Sequence, residues 1–164
     1  MTQYLDRALK EKLNSNPFAA LSSLSKELSL SESTLIKKIK EVSKSGDKNA
    51  ELWLKTAHIR NKSFIYILQI FAYAFENGLT TSDVEKMELM STVDTYPKAS
   101  ILSVLNPRPP TRYIGKTLKK IRKATLELMK ICKDYSLTQE QINYACKEYR
   151  INSDIPQLSQ ISSI

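Results

Sequence analysis

The sequence is poor in several residue types on which particular classes of protein depend. Its 164 residues include only one histidine, two cysteines and three glycines, and they contain no glycine-rich phosphate-binding loop. A single histidine leaves little material for a metal site or a proton relay, and two isolated cysteines do not build a disulfide framework. His58 is instead expected to be a packed or solvent-edge side chain, and Cys132 a small apolar one. We therefore expect no enzymatic activity, no metal site and no cofactor.

Long apolar segments and targeting signals are also missing. The longest apolar stretch, residues 64–75, is interrupted by Gln69 and spans about 12 residues, whereas a membrane-spanning helix needs about 20. The chain does not open with a charged segment followed by an apolar one, as a secretion signal does. We expect a cytoplasmic protein without a membrane partner.

The composition and the spacing of apolar residues predict an all-α fold. Apolar residues make up 41% of the chain and charged residues 26%, which are ordinary values for a globular protein. Runs of alternating β-branched residues, which would indicate strands, are few. We expect a tri-helical unit over residues 1–46, a helical core or oligomerisation region over residues 47–106, and a basic long helix plus a C-terminal helix over residues 107–164.

Three helices are predicted within residues 1–46, at about 2–14, 17–29 and 32–44. Asn16 is expected to cap the second helix, with Pro17 at its first position, where the missing N–H has no cost. Ser45 and Gly46 end the third helix. The first unit would then consist of these three helices packed on or linked to the rest of the chain.

Residues 48–77 have a helical pattern that bends near residues 61–63. Residues 64–75 are apolar nearly all round, which is typical of a helix buried on every side and would also suit half of a dimer interface. Capping boxes are predicted at Ser82 with Glu85 and at Thr138 with Gln141.

After a short helix at 97–105, three prolines predict an extended linker at 106–110. A long helix from residue 111 or 112 to about 135 follows, and its apolar seam has four-three spacing. The seam is a second candidate dimer surface and consists of Ile114, Leu118, Ile121, Thr125, Leu128, Cys132 and Tyr135.

Residues 21–42, with the sequence LSSLSKELSLSESTLIKKIKEV, predict two short helices joined by a tight turn. Leu24 and Leu28 share one helical face, and Leu35 and Ile39 share a face of the next helix. Ser31 is a natural N-cap for the second helix, because its hydroxyl can accept a hydrogen bond from a backbone N–H of the first turn.

This stretch resembles the helix-turn-helix of AraC-type and TetR-type bacterial DNA-binding regulators over about 22 residues. Ser25 stands where those motifs place a small residue facing the second helix, and Ser29 stands where they usually have glycine. The resemblance implies that the second helix enters the major groove, where Lys37 and Lys40 would reach guanine acceptors or phosphates. The alternative is an ordinary helical hairpin with a solvated lysine face. The DNA-binding residues that the resemblance implies here are Ser31, Glu32, Ser33, Thr34, Ile36, Lys37, Lys38, Lys40 and Lys44.

The net charge of +8 is unevenly distributed, at +3 over residues 1–46, −1 over residues 47–106 and +6 over residues 107–164. The densest basic segment, residues 108–123, contains no acid and suits a phosphate backbone. Alternatively, this helix is balanced by acids at Asp83, Glu85, Glu88 and Asp94. Arg122 also contributes to the positive charge of this segment. The candidate DNA-binding residues of the segment are Arg108, Arg112, Lys116, Lys119, Lys120 and Lys123.

Residues 139–161 allow two interpretations. Ser153 and Pro156 could start the second helix of another helix-turn-helix, or the segment is an ordinary C-terminal helix. The spacing is one residue longer than the usual turn, which favours the ordinary helix.

Taken together, these patterns predict a sequence-specific binder of double-stranded DNA that regulates transcription as a homodimer. A single unit of this kind reads few base pairs, and such units usually bind DNA as two-fold symmetric dimers. Two alternatives remain open. One is an architectural, replication, partition or packaging factor that binds DNA without regulating transcription. The other is a protein–protein adaptor whose basic helix meets an acidic partner.

Overall fold

A computed structural model describes residues 2–61, 63–89, 100–105 and 114–152. Within these ranges the chain is helical and has no strand, which confirms the predicted all-α class. None of the described helices is both long and apolar enough to cross a membrane. In chain order the helices are α1 Thr2–Ser15, α2 Leu21–Leu28, α3 Glu32–Lys44, α4 Lys48–Lys55, α5 Phe64–Glu76, α6 Thr81–Lys86, α7 Ile101–Val104, α8 Ile114–Cys132 and α9 Gln139–Asn152.

The first four helices enclose one apolar cluster, here called the N-terminal cluster. Leu13 of α1 and Leu35 and Ile39 of α3 have no exposed surface within it. The indole Nε1 of Trp53 donates a hydrogen bond of 2.7 Å to the carbonyl of Ala19. The cluster therefore extends past residue 46 to include α4. Its buried members are Leu9, Leu13, Ala19, Leu24, Leu35, Ile39, Val42, Ala50 and Trp53.

The second helix begins later than predicted, at Leu21 instead of Pro17. Asn16 caps a turn and not a helix, because its Oδ1 accepts a hydrogen bond of 3.0 Å from the backbone N–H of Phe18. Phe18 is fully buried against Phe64 and Phe71 of α5, with ring centroids 5.9 and 6.3 Å apart. Because the Phe18 side chain is buried against α5, residues 16–20 do not become part of α2.

A second cluster, the central cluster, surrounds α5. Phe64, Leu68 and Ile70 have no exposed surface, and the surrounding helices are α7, α8 and α9. The predicted burial of this helix is therefore confirmed for residues 64–71 and Ala74, which are covered within a single chain, whereas Phe75 is 42% exposed. The suggestion that α5 provides a dimer surface is accordingly wrong for these buried residues.

The apolar seam of α8 packs into the same cluster. Leu118, Ile121, Thr125, Leu128 and Cys132 are all buried within one chain. Four-three spacing thus identified the inward face of α8 correctly. These five residues cover α5 and are not available as a dimer surface either. Of the other two seam residues, Tyr135 is partly buried, and the side chain of Ile114 lies outside the described structure.

One of the two predicted capping boxes is correct. At the start of α9, the Gln141 backbone N–H donates to Thr138 Oγ1 at 3.1 Å, and Gln141 Oε1 accepts from the Thr138 N–H at 3.0 Å. At the start of α6, however, the box is formed by Thr80 and Asp83, two residues before the predicted pair. The sequence satisfies the pattern in both registers, and α6 follows the earlier one.

The α9 helix joins the two clusters. Gln141 Nε2 donates a hydrogen bond of 2.7 Å to the carbonyl of Asn14, and the Tyr149 hydroxyl donates one of 2.9 Å to the carbonyl of Phe18. A further link connects the α4–α5 connection to α8, where His58 Nε2 lies 2.7 Å from Glu127 Oε1. The α1–α4 unit is therefore held against the central cluster at several points.

Candidate nucleic-acid interface

The turn between α2 and α3 spans residues 29–31 and has a left-handed residue at its first position. Ser29 adopts φ 54° and ψ 43°, the αL conformation that glycine adopts most easily. The Ser25 hydroxyl donates to the carbonyl of Leu30, and the Leu30 N–H donates to the carbonyl of Ser25 at 3.1 Å. Two hydrogen bonds thus hold the turn against α2.

The first turn of α3 is capped as the sequence predicts. The Ser31 hydroxyl accepts a hydrogen bond of 3.3 Å from the Thr34 N–H and lies 2.7 Å from the Thr34 hydroxyl. Glu32, at the first helical position, is exposed and lies about 100° around the helix from Ser33. The Ser31 and Thr34 hydroxyls therefore form hydrogen bonds within the first turn of α3.

One face of α3 points to solvent and is basic. Leu35, Ile39 and Val42 are buried on one side, and four exposed residues lie on the opposite side at three- and four-residue spacing. The three lysines of this face form no ion pair with any residue of the described ranges. We call it the α3 face, and it consists of Ser33, Lys37, Lys40 and Lys44.

Two predicted contact residues of α3 lie off this face or at its edge. Lys38 is only 18% exposed at its side chain, and its Nζ lies 3.5 Å from Asp6 Oδ1 and 3.8 Å from Glu41 Oε2. Ile36 is half-buried and packs against the N-terminal cluster. Lys38 is thus directed toward α1, and Ile36 presents only part of its side chain outward.

The α8 helix carries a second basic face. Lys116, Lys119, Lys120 and Lys123 are exposed on the side opposite the buried seam. Arg122 is not part of it, because its guanidinium turns inward and donates to the carbonyl of Met87 at 3.2 Å. We call these four lysines the α8 face.

The four lysines of the α8 face form no ion pair with a carboxylate of the described residues. Asp83 Oδ2 accepts from the Thr80 N–H at 2.9 Å, and Glu85 and Glu88 are exposed. No carboxylate of the described residues lies within 4.0 Å of an α8-face ammonium group. The four positive charges are accordingly open to solvent and its ions.

A further lysine, Lys130, lies on this side of α8, beyond the basic segment that the sequence indicates at residues 108–123. Lys130 is exposed and lies seven residues after Lys123, two helical turns along the same side of α8. Glu127 lies between them and is paired with His58. The seven-residue spacing was the signal that could have identified Lys130.

Some predicted residues lie outside the described ranges. Arg108 and Arg112 fall there, as do Asp94, the proline segment 106–110 and residues 153–161 of the suggested second helix-turn-helix. The described part of that C-terminal segment is the helix α9. Its residues Ile142 and Ala145 are fully buried in the central cluster.

The two basic faces belong to α3 and α8, which both contact α4. Comparison with known proteins found no matching family model, no similar curated protein and no similar solved structure. Any function must therefore be argued from the geometry of these two faces.

Proposed function

We propose that the protein binds double-stranded DNA through the α3 face and acts in the cytoplasm as a sequence-specific transcriptional regulator. The observation that carries this proposal is the arrangement of Lys37, Lys40 and Lys44. They lie together on the solvent side of a helix whose opposite side is fully buried, and no described carboxylate pairs with them. Such a helix can approach a polyanion without losing any packing contact.

In the proposed complex α3 lies in the major groove, which is wide enough to admit an α-helix. Ser33 and Lys37, near the N-terminal end, are placed to contact base edges, and Lys37 and Lys40 can donate to guanine O6 and N7. Lys44, at the C-terminal end, contacts a phosphate. Lys38 is left out of this set, because its ammonium group is already paired with Asp6.

The α8 face would add contacts to the phosphate backbone. Lysines on exposed helix faces bind phosphates mainly as point charges, with little preference for sequence. Each neutralised phosphate contributes about −0.9 to the slope of log K against log salt concentration. The α3 face would then supply specificity, and the α8 face affinity.

We also propose that the regulator acts as a homodimer, because one helix in one major groove reads only a few base pairs. Two copies would place their α3 helices in half-sites about one helical turn of DNA apart. The contact between copies must use a surface other than the buried residues of α5 and of the α8 seam, since these are covered within one chain. Sedimentation of the protein with and without DNA tests this part of the proposal.

An architectural role is the second candidate. The α8 face favours it, because its four exposed lysines can bind phosphates as point charges with little preference for sequence. In that case binding would depend on the α8 face and on salt, and not on DNA sequence.

Selection of bound sequences from a random DNA pool tests the main proposal. We expect a consensus with inverted-repeat symmetry. Lys37→Ala with Lys40→Ala should abolish the sequence preference and reduce the magnitude of the slope of log K against log salt concentration by about 2. Lys119→Ala with Lys120→Ala and Lys123→Ala should instead lower the affinity for all DNA sequences alike. Lys10→Ala with Lys147→Ala removes two exposed charges from α1 and α9 and serves as the matched control.

The outcomes separate the three candidates. If only the α8 triple variant weakens binding and no consensus emerges, the architectural role replaces the regulator. If neither set weakens binding more than the control at about 100 mM salt, DNA is not the partner. The basic α8 helix would then be tested against acidic proteins as an adaptor.

A further inference from the structure

A cleft opens between the C-terminal ends of α5 and α8 and the start of α6. Its volume is about 630 Å³, within the range of about 300–1,000 Å³ that is usual for small-molecule sites. Phe71, Phe75, Leu79, Met129 and Leu137 supply apolar walls. Phe75 is 42% exposed, although it is a large apolar side chain. The cleft therefore presents an apolar surface to solvent that the described chain does not cover.

The charged residues that line this cleft are of one sign. Lys130 and Lys133 line it, and none of its lining residues, all within the described ranges, is an aspartate or glutamate. Both lysines are exposed, and neither forms an ion pair with a described residue. Asp134 follows Lys133 in the sequence but does not line the cleft. A ligand in the cleft would meet two ammonium groups and no carboxylate.

We propose that this cleft binds an amphipathic carboxylate, a small molecule with an apolar chain or ring and one carboxylate group. The apolar part packs against Phe71, Phe75 and Met129, where it is removed from water. The carboxylate accepts hydrogen bonds from Lys130 and Lys133 at the solvent side. A cationic amphiphile of the same length would meet repulsion instead. The proposal does not depend on DNA binding.

Decanoate, at concentrations at which it is monomeric, is the probe. The full chain has four methionines, and their methyl groups can be labelled with ¹³C for NMR. Met129 lines the cleft, whereas Met87 is only 3% exposed and is not among the lining residues. We expect a saturable shift of the Met129 methyl signal and no shift of the Met87 signal. Decyltrimethylammonium should bind more weakly than decanoate.

Substitutions separate the apolar contact from the charged one. Lys130→Gln with Lys133→Gln should lower the affinity for decanoate by about fivefold, the loss expected for an exposed ion pair. The affinity for decanol should not change. Lys116→Gln with Lys119→Gln is the matched control on the same helix and should not change the affinity for decanoate. Phe75→Ala should weaken both decanoate and decanol, and the fold should persist because Phe75 is partly exposed.

Four results would overturn the proposal. The first is the absence of a saturable Met129 shift, and the second is equal affinity for the cationic and anionic amphiphiles. The third is a shift by an acidic amphipathic peptide where decanoate gives none, which would make the cleft a docking groove for a protein helix. Equal shifts of Met87 and Met129 also count against a local site, since they indicate general disruption of the core.

Discussion

The hydroxyl of Tyr149, near the C-terminal end of α9, donates a hydrogen bond of 2.9 Å to the carbonyl of Phe18, between α1 and α2. The Tyr149 ring also packs against Phe64, with ring centroids 5.0 Å apart. Phe18 belongs to the central cluster, although its neighbour Ala19 belongs to the N-terminal one. This pair is therefore one of the links that hold the α1–α4 unit against the rest of the chain.

Tyr149→Phe should lower the free energy of unfolding by about 1 kcal/mol, because it removes the donor and leaves the Phe18 carbonyl without this partner. The packing against Phe64 would persist. Urea denaturation followed by helical circular dichroism measures the effect. Tyr144→Phe, on an exposed side chain of the same helix, is the control. A loss no larger than that of the control would contradict the structural role of the bond.

The same residue gives stability a defined dependence on pH. Burial raises the pKa of Tyr149 to about 12 in the folded protein, whereas a free tyrosine has a pKa of about 10. Between these two values the unfolded state loses the proton that the folded state keeps, so stability falls as the pH rises. We expect a smaller fall in Tyr149→Phe than in the natural chain over pH 10 to 12. Parallel curves would show that Tyr149 does not titrate differently on unfolding.

Ser29→Gly should stabilise the protein by about 1 kcal/mol. Ser29 has φ 54°, a left-handed conformation that costs about 1–2 kcal/mol for residues with a Cβ, and glycine adopts it with little strain. Ser29→Val should destabilise, because a β-branched side chain suits this conformation least. Urea midpoints of the three proteins should follow the order glycine, serine, valine. Any other order would argue against the left-handed turn.

Arg60→Lys should destabilise by about 1–2 kcal/mol despite the retained charge. The Arg60 guanidinium carbon lies 4.1 Å from the centroid of the Trp53 ring, and its Nη1 donates to the Trp53 carbonyl and to Thr56 Oγ1 at 2.8 Å each. A lysine cannot reproduce this planar stack with two donated bonds. Trp53 fluorescence during urea unfolding measures the change. Arg7→Lys, on the exposed side of α1, should be neutral.

Ser31→Ala should lower the free energy of unfolding by about 1 kcal/mol, because the first turn of α3 loses its N-cap. Ser31→Asp should restore most of the loss, since a carboxylate caps equally well and interacts favourably with the helix dipole. Both variants keep the α3 face unchanged, so thermal unfolding reports the cap alone. If Ser31→Asp is as unstable as Ser31→Ala, the cap is not what stabilises this turn.

Helix positions with strong local signals could be predicted from the sequence. The bounds of α3 were correct, because the Ser31 cap and Gly46 at φ 104° mark its two ends. The start of α2 was wrong, because burial of Phe18 against α5 overrides the local signal at Asn16 and Pro17. The start of α6 was wrong for a different reason, since two overlapping capping patterns differ by only two residues.

The candidate surfaces, likewise, could be predicted from the sequence only in part. The solvent faces of α3 and α8 follow from helical periodicity, which places their lysines opposite the buried residues. The inward pairing of Lys38 could not be predicted, because its partner Asp6 lies 32 residues away on α1. Nor could the cleft, whose walls come from the separate segments around α5, α6 and α8.

The burial of α5 also has a consequence for the order in which the chain folds. The N-terminal cluster is built from residues 9–54, so its contacts can be complete before the later helices are synthesised. α5 is covered by α8 and α9, which emerge from the ribosome about 50 to 75 residues later. During that interval its phenylalanines and isoleucines are exposed on the nascent chain, and this is the stage at which a chaperone would bind or the chain would aggregate.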